Sequence, residues 1–227
     1  MTNVDTPGPA VREPIPPTEL VARIEAAFRD VYLTLISIIQ GVAFGFLATS
    51  AFADPLPDLG QSIAYIACLL AIIVVWQEYM VGSTAFIWTP TLLDSFVPFG
   101  VGLVEFLLIA SARRTTGAFL ACLVLFFAAG VVGYGNWLFH ARRGGDLNTR
   151  TSYPILGRYV RFGTTVCALD LLAAIGLLGL HHRGTGLSDV AFASAALVLM
   201  LPLSLHSIAN WSIPLRRIND RPPTARP

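Results

Sequence analysis

Residues 162–180 read FGTTVCALDLLAAIGLLGL, a stretch of nineteen residues in which Asp170 carries the only charge. A helix of about 20 apolar residues crosses a hydrocarbon core of about 30 Å. Backbone groups cannot stay unpaired in lipid, and blocks of this length are too long for barrel strands. Five comparable apolar blocks occur at 31–53, 62–80, 90–111, 117–140 and 188–210. The sequence therefore predicts an all-α integral membrane protein with six transmembrane helices.

The composition agrees with this fold class. Of 227 residues, 55% are hydrophobic and 13% are charged, and the mean hydropathy is +0.66. A soluble domain of average composition carries about 25% charged residues, so a soluble globular protein is excluded. All fifteen basic residues are arginine, which excludes chemistry that needs a lysine amine. The sequence contains no P-loop, H-E-x-x-H or G-x-S-x-G motif and gives no support for an enzyme.

Three regions are expected along the chain. Residues 1–17 are rich in proline and lack apolar periodicity, which predicts a disordered tail. Leu20, Ile24, Phe28 and Val31 then recur at helical spacing among charged residues, which predicts a short amphipathic helix at the membrane surface before the first span. Residues 18–213 form the predicted membrane domain, and 214–227 form a basic tail that we expect to be disordered.

The arginines indicate the orientation. Twelve of the fifteen lie in 12–29, 142–161 and 216–226, which share one side if six helices cross the membrane. The positive-inside rule places this side in the cytoplasm. We therefore expect both termini in the cytoplasm and a multi-pass location in a prokaryotic inner or plasma membrane. The arginines at 142–161 should attract anionic lipid headgroups and do not indicate a nucleic-acid partner.

Polar residues within the predicted spans are the candidate functional residues. A charged side chain at the bilayer centre costs about 2.5 to 3.5 kcal/mol on insertion scales, so each needs a partner or a purpose. Asp170 and Gln40 fall near mid-membrane, Glu105 lies closer to the outer side, and Asp94 lies on the same helical face as Glu105. These four are the candidates for binding an ion or proton. With no basic residue at similar depth, we expect Asp170 to be protonated or to bind a cation.

A second group lies near the predicted cytoplasmic ends of the spans, where water and headgroups can solvate polar side chains. Its members are Glu78, Asn136, His140, His206 and Asn210. They could form a hydrated inner rim without further function. His140 and His206 lie at similar depth, so bis-histidine haem ligation is a less favoured alternative. Otherwise no cofactor is expected, and no residue spacing indicates a metal site.

Small and polar residues line one face of several predicted spans. Examples are Thr34, Ser37, Gly41 and Gly45 in the first, and Gly163, Cys167, Asp170 and Ala174 in the fifth. Such stripes allow helices to approach closely and can be packing seams. Alternatively, stripes from the first, third, fourth and fifth spans line a polar cavity that opens to the cytoplasm, with Asp170 and Glu105 as ion or proton sites.

The segment Arg23-Ile-Glu-Ala-Ala-Phe28-Arg-Asp30 resembles the Arg-x-x-x-Phe-Ser-Asp signature of the six-helix bacterial and lysosomal potassium channels. It has one extra residue before Phe28 and an arginine in place of the serine. A Val97-Pro98-Phe99 step in the third span is also similar to that family. The resemblance implies an oligomeric cation channel whose first helix lines the pore, with Arg23, Phe28 and Asp30 in an interhelical network.

These observations favour transport of a cation or proton through a polar cavity in the membrane, by a channel or a carrier. The alternative is a non-catalytic subunit that anchors or assembles partner proteins, with its buried acids acting as structural links. A haem- or quinone-binding redox subunit is a third, weaker hypothesis. We expect the lipid bilayer and either further copies of the chain or other membrane subunits as partners.

Overall fold

The structure is a computed structural model that describes residues 16–85, 92–143 and 153–219. Within these ranges the chain forms six α-helices and no β-strand. They are α1 (Pro17–Ala51), α2 (Leu59–Ala85), α3 (Leu92–Ser111), α4 (Thr116–Arg143), α5 (Tyr153–His182) and α6 (Asp189–Asn219). The all-α class predicted from the apolar blocks is confirmed.

Five of the helices are long and apolar enough to cross a membrane. The qualifying segments are Asp30–Ala51, Leu59–Ser83, Thr116–Phe139, Gly157–His182 and Asp189–Ala209. The apolar part of α3, Phe96–Ser111, is shorter. A chain with five such helices is a multi-pass membrane protein by composition and length.

The ends of the bundle differ from the expected boundaries. The amphipathic segment is not a separate helix, because α1 runs without a break from Pro17 through the first apolar block. At the other end α6 continues to Asn219, beyond the expected domain boundary at residue 213. Of the expected tail at 1–17, residues 1–15 lie outside the described part of the chain, and α1 already begins at Pro17. The residues after 219 also lie outside it.

The helices form a closed ring in the order α1, α2, α6, α5, α4, α3, each packed against the next. Two further contacts, between α2 and α3 and between α4 and α6, cross the inside of this ring. A single core cluster of buried side chains extends through the bundle. The ring encloses enough interior surface for side chains of five helices to meet.

Polar contacts bring three loops to the same end of the bundle. Arg113, just after α3, donates hydrogen bonds to the carbonyl oxygens of Ser50, Ala53 and Pro55 around the end of α1. Thr116, at the start of α4, donates to Asp189 at the start of α6. The α1–α2, α3–α4 and α5–α6 loops therefore lie together at one end of the bundle.

Candidate functional site

The interior of the ring contains a cavity of about 70 Å³ formed by α2, α3, α4, α5 and α6. A water molecule needs about 10 to 15 Å³ of such space, so several would fit. Most of the wall is apolar, and polar atoms come from a few side chains. The wall consists of Val74, Val75, Glu78, Tyr79, Val101, Phe126, Ala129, Gly130, Gly133, Tyr134, Trp137, Cys167 and Leu203.

The polar part of the wall is centred on Glu78 and Tyr134. Tyr134 is 9% exposed, and its hydroxyl makes no hydrogen bond of normal geometry although it lies near the Glu78 carboxylate. Cys167, on α5, lies within electrostatic range of Glu78. A buried hydroxyl without a partner costs free energy. A water or a ligand would therefore be stabilised next to the Tyr134 hydroxyl.

The aromatic part of the wall is fixed by close helix packing. The indole of Trp137 lies directly against Gly82 of α2, where a Cβ atom would overlap the ring. Tyr79 stacks at a tilt against Tyr32 of α1, with ring centroids 5.8 Å apart. Phe126 packs edge-to-face against Phe127. These contacts hold the aromatic side chains in place around the cavity.

Gln40 and Glu105 meet in the interface between α1 and α3. The Gln40 Nε2 donates a hydrogen bond to the Glu105 Oε2 over 2.8 Å, and the two side chains are 5% and 1% exposed. The other oxygen of each side chain, Gln40 Oε1 and Glu105 Oε1, is buried without a hydrogen-bond partner. Two of the four predicted ion-binding candidates are therefore joined directly, with unused acceptor capacity on both.

Asp170 lies on α5, and its side chain is 6% exposed. Its Oδ2 is buried and makes no hydrogen bond. Asp170 and Glu105 form no ion pair with any residue in the described ranges.

The two carboxylates do not face one shared cavity. Neither Glu105 nor Asp170 belongs to the cavity wall; each lies next to a wall residue instead. Glu105 is within electrostatic range of Tyr79, and Asp170 is within range of Cys167. Glu78, expected at the inner rim, is the acid that lines the cavity.

The first span does not contribute to the cavity. The expected stripe of small and polar residues on α1 points away from the bundle, and its members Thr34, Ser37, Gly41 and Gly45 are all exposed. By contrast, the stripe on α5 points inward, since Gly163, Cys167, Asp170 and Ala174 are all buried. Burial on α1 follows Tyr32, Ile36, Gln40, Ala43 and Leu47 instead.

The remaining inner-rim candidates have different environments. His206 is buried, and its ring is surrounded by those of Phe162, Tyr134 and Tyr159, with centroid distances of 5.0 to 6.4 Å. Asn136 is partly buried. The side chains of Asp94, His140 and Asn210 lie outside the described part of the structure, so the pairing of His140 with His206 for haem remains a sequence hypothesis.

Arg23, from the segment similar to the potassium channels, donates a 2.6 Å hydrogen bond to Glu19 one turn earlier on α1. Both side chains are exposed. The side chain of Phe28 lies outside the described residues. Among described residues, no group of three or more His, Cys, Asp or Glu side chains is placed to hold a metal ion.

Sequence reasoning missed most of the cavity wall. Tyr79, Tyr134 and Trp137 have ordinary membrane-helix composition, and aromatic residues near helix ends are typical of the membrane interface. One sequence pattern could have predicted a cavity. Tyr134 and Trp137 lie three residues apart on the same helix as Gly130 and Gly133, and glycines leave space next to aromatic rings. That pattern alone does not show which face of the helix is buried.

Comparison with known proteins gives no relative: no family model, no curated protein and no solved structure matches this chain. Functional conclusions therefore depend on the geometry described above.

Proposed function

We propose that this protein moves a proton or a small cation across a membrane, as a channel or a carrier, with the central cavity as an intermediate site. The observation that carries the proposal is the state of Glu105 and Asp170. Both side chains are more than nine-tenths buried, each has an oxygen without a hydrogen-bond partner, and within the described part of the chain neither forms an ion pair. A buried carboxyl in this condition is stabilised by a proton or by a cation that replaces it.

The placement of the carboxylates suits stepwise movement. Glu105 is within electrostatic range of the wall residue Tyr79, Asp170 is within range of the wall residue Cys167, and Glu78 lies in the wall itself. Ionisable residues inside membrane helices commonly mark ion pathways and proton relays. The cavity has room for several water molecules beside Glu78.

The same proposal includes the membrane arrangement. We place all six helices across the membrane, with α3 as the third span, because the three loops held together by Arg113, Thr116 and Asp189 require alternating helix directions. The arginine distribution puts the opposite end, with both termini, in the cytoplasm. The membrane is then an inner or plasma membrane.

The proposed assembly is a homo-oligomer. The exposed stripe of α1 consists of small and polar residues spaced three or four positions apart, which allows close approach of a helix from another copy. The similarity of residues 23–30 to the potassium channels would place α1 at the pore of such an assembly. Other membrane subunits are the alternative partners.

A second candidate function is a non-transporting anchor or assembly subunit. The hydrogen bond from Gln40 to Glu105 supports it, because an amide that ties a buried carboxyl to a neighbouring helix is an ordinary structural link. The unpartnered Oδ2 of Asp170 favours transport over this alternative.

The test measures proton or potassium flux through the purified protein in liposomes. The liposomes contain a pH-sensitive dye, and a potassium or proton gradient is imposed across their membrane. We expect Asp170→Asn and Glu105→Gln to lower the flux by about tenfold or more, because each removes a group that exchanges protons. The control is Asp54→Asn, which removes an exposed loop carboxylate and should leave flux unchanged.

Flux that is equal in wild type, Asp170→Asn and Glu105→Gln would contradict the proposal. Absence of any flux above that of empty liposomes, with folded protein verified by circular dichroism, would favour the anchor function instead.

A further inference from the structure

A wide groove lies between α1 and α2, at the end of the bundle where Arg113 binds the α1–α2 loop. On α1 its wall runs from Phe44 to Phe52, along one helical face. On α2 the wall runs from Ser62 to Leu69, also along one face. Phe44 and Phe52 are more than half exposed, so the groove opens sideways from the bundle. In a protein with several helices of membrane-spanning length, this side faces lipid.

The groove has the size of a single lipid chain. Its volume is about 530 Å³, whereas a cavity of about 150 Å³ is known to hold benzene. At the same space per carbon atom, the groove accommodates about 20 carbon atoms. One acyl chain of a phospholipid is of this size, and both chains together would exceed it.

Tyr65 supplies a polar atom in this apolar wall. Its side chain is 5% exposed, and its hydroxyl is buried without a hydrogen-bond partner among the described residues. Tyr65 lines the groove, and side chains on a helix lean toward the helix N-terminus, which for α2 is the loop end. A buried hydroxyl without a hydrogen bond is destabilising. An ester oxygen of a bound lipid would accept this missing hydrogen bond.

Arg113 places a positive charge at the loop end of the groove. Its guanidinium is within electrostatic range of Tyr65. It donates three hydrogen bonds, to the carbonyl oxygens of Ser50, Ala53 and Pro55. Carbonyl oxygens have no net charge, and in the described part of the chain Arg113 forms no ion pair. An arginine has five N–H donors, so two remain for an anion such as a phosphate.

The acids of the α1–α2 loop limit the kind of headgroup. Asp54 and Asp58 are both exposed, and Asp58 accepts the backbone N–H of Gln61 at the start of α2. Two carboxylates close in sequence to the carbonyls that Arg113 binds would repel further negative charge. The loop therefore suits a lipid with one phosphate and no second anionic group.

We propose that the groove between α1 and α2 binds one glycerophospholipid. Its acyl chain lies along the wall, an ester oxygen accepts from the Tyr65 hydroxyl, and the phosphate lies beside Arg113. A helix from a second copy fits less well, because its carbonyl oxygens are already bonded within that helix and would leave the Tyr65 hydroxyl unsatisfied. The site does not depend on ion transport, since no residue of the groove lines the central cavity.

The experiment measures binding of palmitoyl-oleoyl phosphatidylethanolamine to the purified full-length protein in detergent, by native mass spectrometry. Ala48→Phe fills the groove from α1. Ala173→Phe is its matched control, because Ala173 is exposed on α5 and lies outside the groove. Tyr65→Phe removes the hydroxyl alone. Arg113→Gln removes the charge, and Arg114→Gln is its control, because Arg114 is the next residue and is exposed.

We expect one phosphatidylethanolamine to bind saturably, about tenfold more tightly than palmitoyl-oleoyl glycerol, which lacks the phosphate. Binding should be about threefold to tenfold weaker in Tyr65→Phe, because one hydrogen bond is lost. It should be about tenfold weaker in Arg113→Gln and absent in Ala48→Phe. Ala173→Phe and Arg114→Gln should bind as wild type.

Three results would overturn the proposal: no saturable binding to wild type, equal binding by Ala48→Phe and Ala173→Phe, or equal affinity for the phospholipid and for palmitoyl-oleoyl glycerol. A dimer without bound lipid that Ala48→Phe dissociates would also overturn it, because a second copy would then occupy the groove. If Arg113→Gln does not fold, Ala48→Phe and Tyr65→Phe still decide the outcome.

Discussion

Glu105 is almost completely buried, yet only half of its carboxyl group is hydrogen-bonded. Gln40 supplies that one bond from the neighbouring helix, and its own carbonyl oxygen stays unpaired. Leaving a buried polar group without its partner costs about 1 to 3 kcal/mol, whereas replacing both partners by apolar groups can be nearly neutral. Substituting one residue of this pair should therefore lower the free energy of unfolding more than substituting both.

Gln40→Leu should lower the free energy of unfolding by about 1 to 3 kcal/mol, because it removes the one hydrogen bond that the described residues make to the Glu105 carboxyl. The double variant Gln40→Leu with Glu105→Leu should recover most of the loss. Reversible unfolding in mixed detergent measures both. If the two substitutions add instead of compensating, the hydrogen bond has no energetic role.

At this scale the sequence identifies which polar residues lie within the apolar blocks but not which residues they contact. Asp170, Glu105 and Gln40 were predictable because polar groups are costly in an apolar block. That Gln40 pairs with Glu105, and that Glu78 lines the cavity, depends on how far each helix is rotated about its axis. Sequence spacing within one helix contains no information about its rotation relative to the others.

At the scale of the helices, α1 and α5 show where pattern reasoning succeeds and fails. Both have a stripe of small and polar residues, but α5 turns it inward and α1 turns it outward. In water an outward face is marked by charge. In lipid both faces of a helix are apolar, so charge does not show which face points outward. Small residues can then lie either in the interior of the bundle or on its outer surface.

Gly163, in the inward stripe of α5, allows this helix to pack closely against α4 and α6. A Cβ atom there would lie 2.6 Å from the Tyr134 ring and 3.0 Å from the His206 Nε2. Gly163→Ala should therefore lower stability by about 1 to 3 kcal/mol, as expected for an overpacked core. Gly176→Ala on the same helix has free space and should be close to neutral.

Thermal unfolding in detergent, followed by circular dichroism, measures this difference. Equal midpoints for Gly163→Ala and Gly176→Ala would contradict the close packing of α5 against α4 and α6.

For the whole molecule, the number of spans and their direction are the testable features. The six apolar blocks were predictable because hydrocarbon thickness sets helix length, and each overlaps an observed helix. The closed ring was not predictable, because the apolar blocks contain no signal for which non-consecutive helices pack together. The cavity, formed by five helices, follows from that ring.

The six-span arrangement predicts the accessibility of single cysteines in a variant that lacks the three native cysteines. Asp54→Cys and Arg114→Cys, in the α1–α2 and α3–α4 loops, should both react with a membrane-impermeant maleimide in intact cells or spheroplasts. A cysteine at Asn148, between α4 and α5 in the sequence, should react only after lysis. Opposite labelling of positions 54 and 114 would show that α3 does not cross the membrane.

The uninterrupted α1 has a mechanical consequence. Its 35 residues give a rod of about 52 Å at about 1.5 Å per residue, longer than a hydrocarbon core of about 30 Å. With α1 as the first span, the part from Pro17 to about Arg29 projects beyond the lipid as a stiff lever. A tilt of the buried part of α1, such as one caused by a change at Gln40, would move the projecting end of the helix along an arc. A molecule bound to that end at the membrane surface would therefore respond to a change inside the bundle.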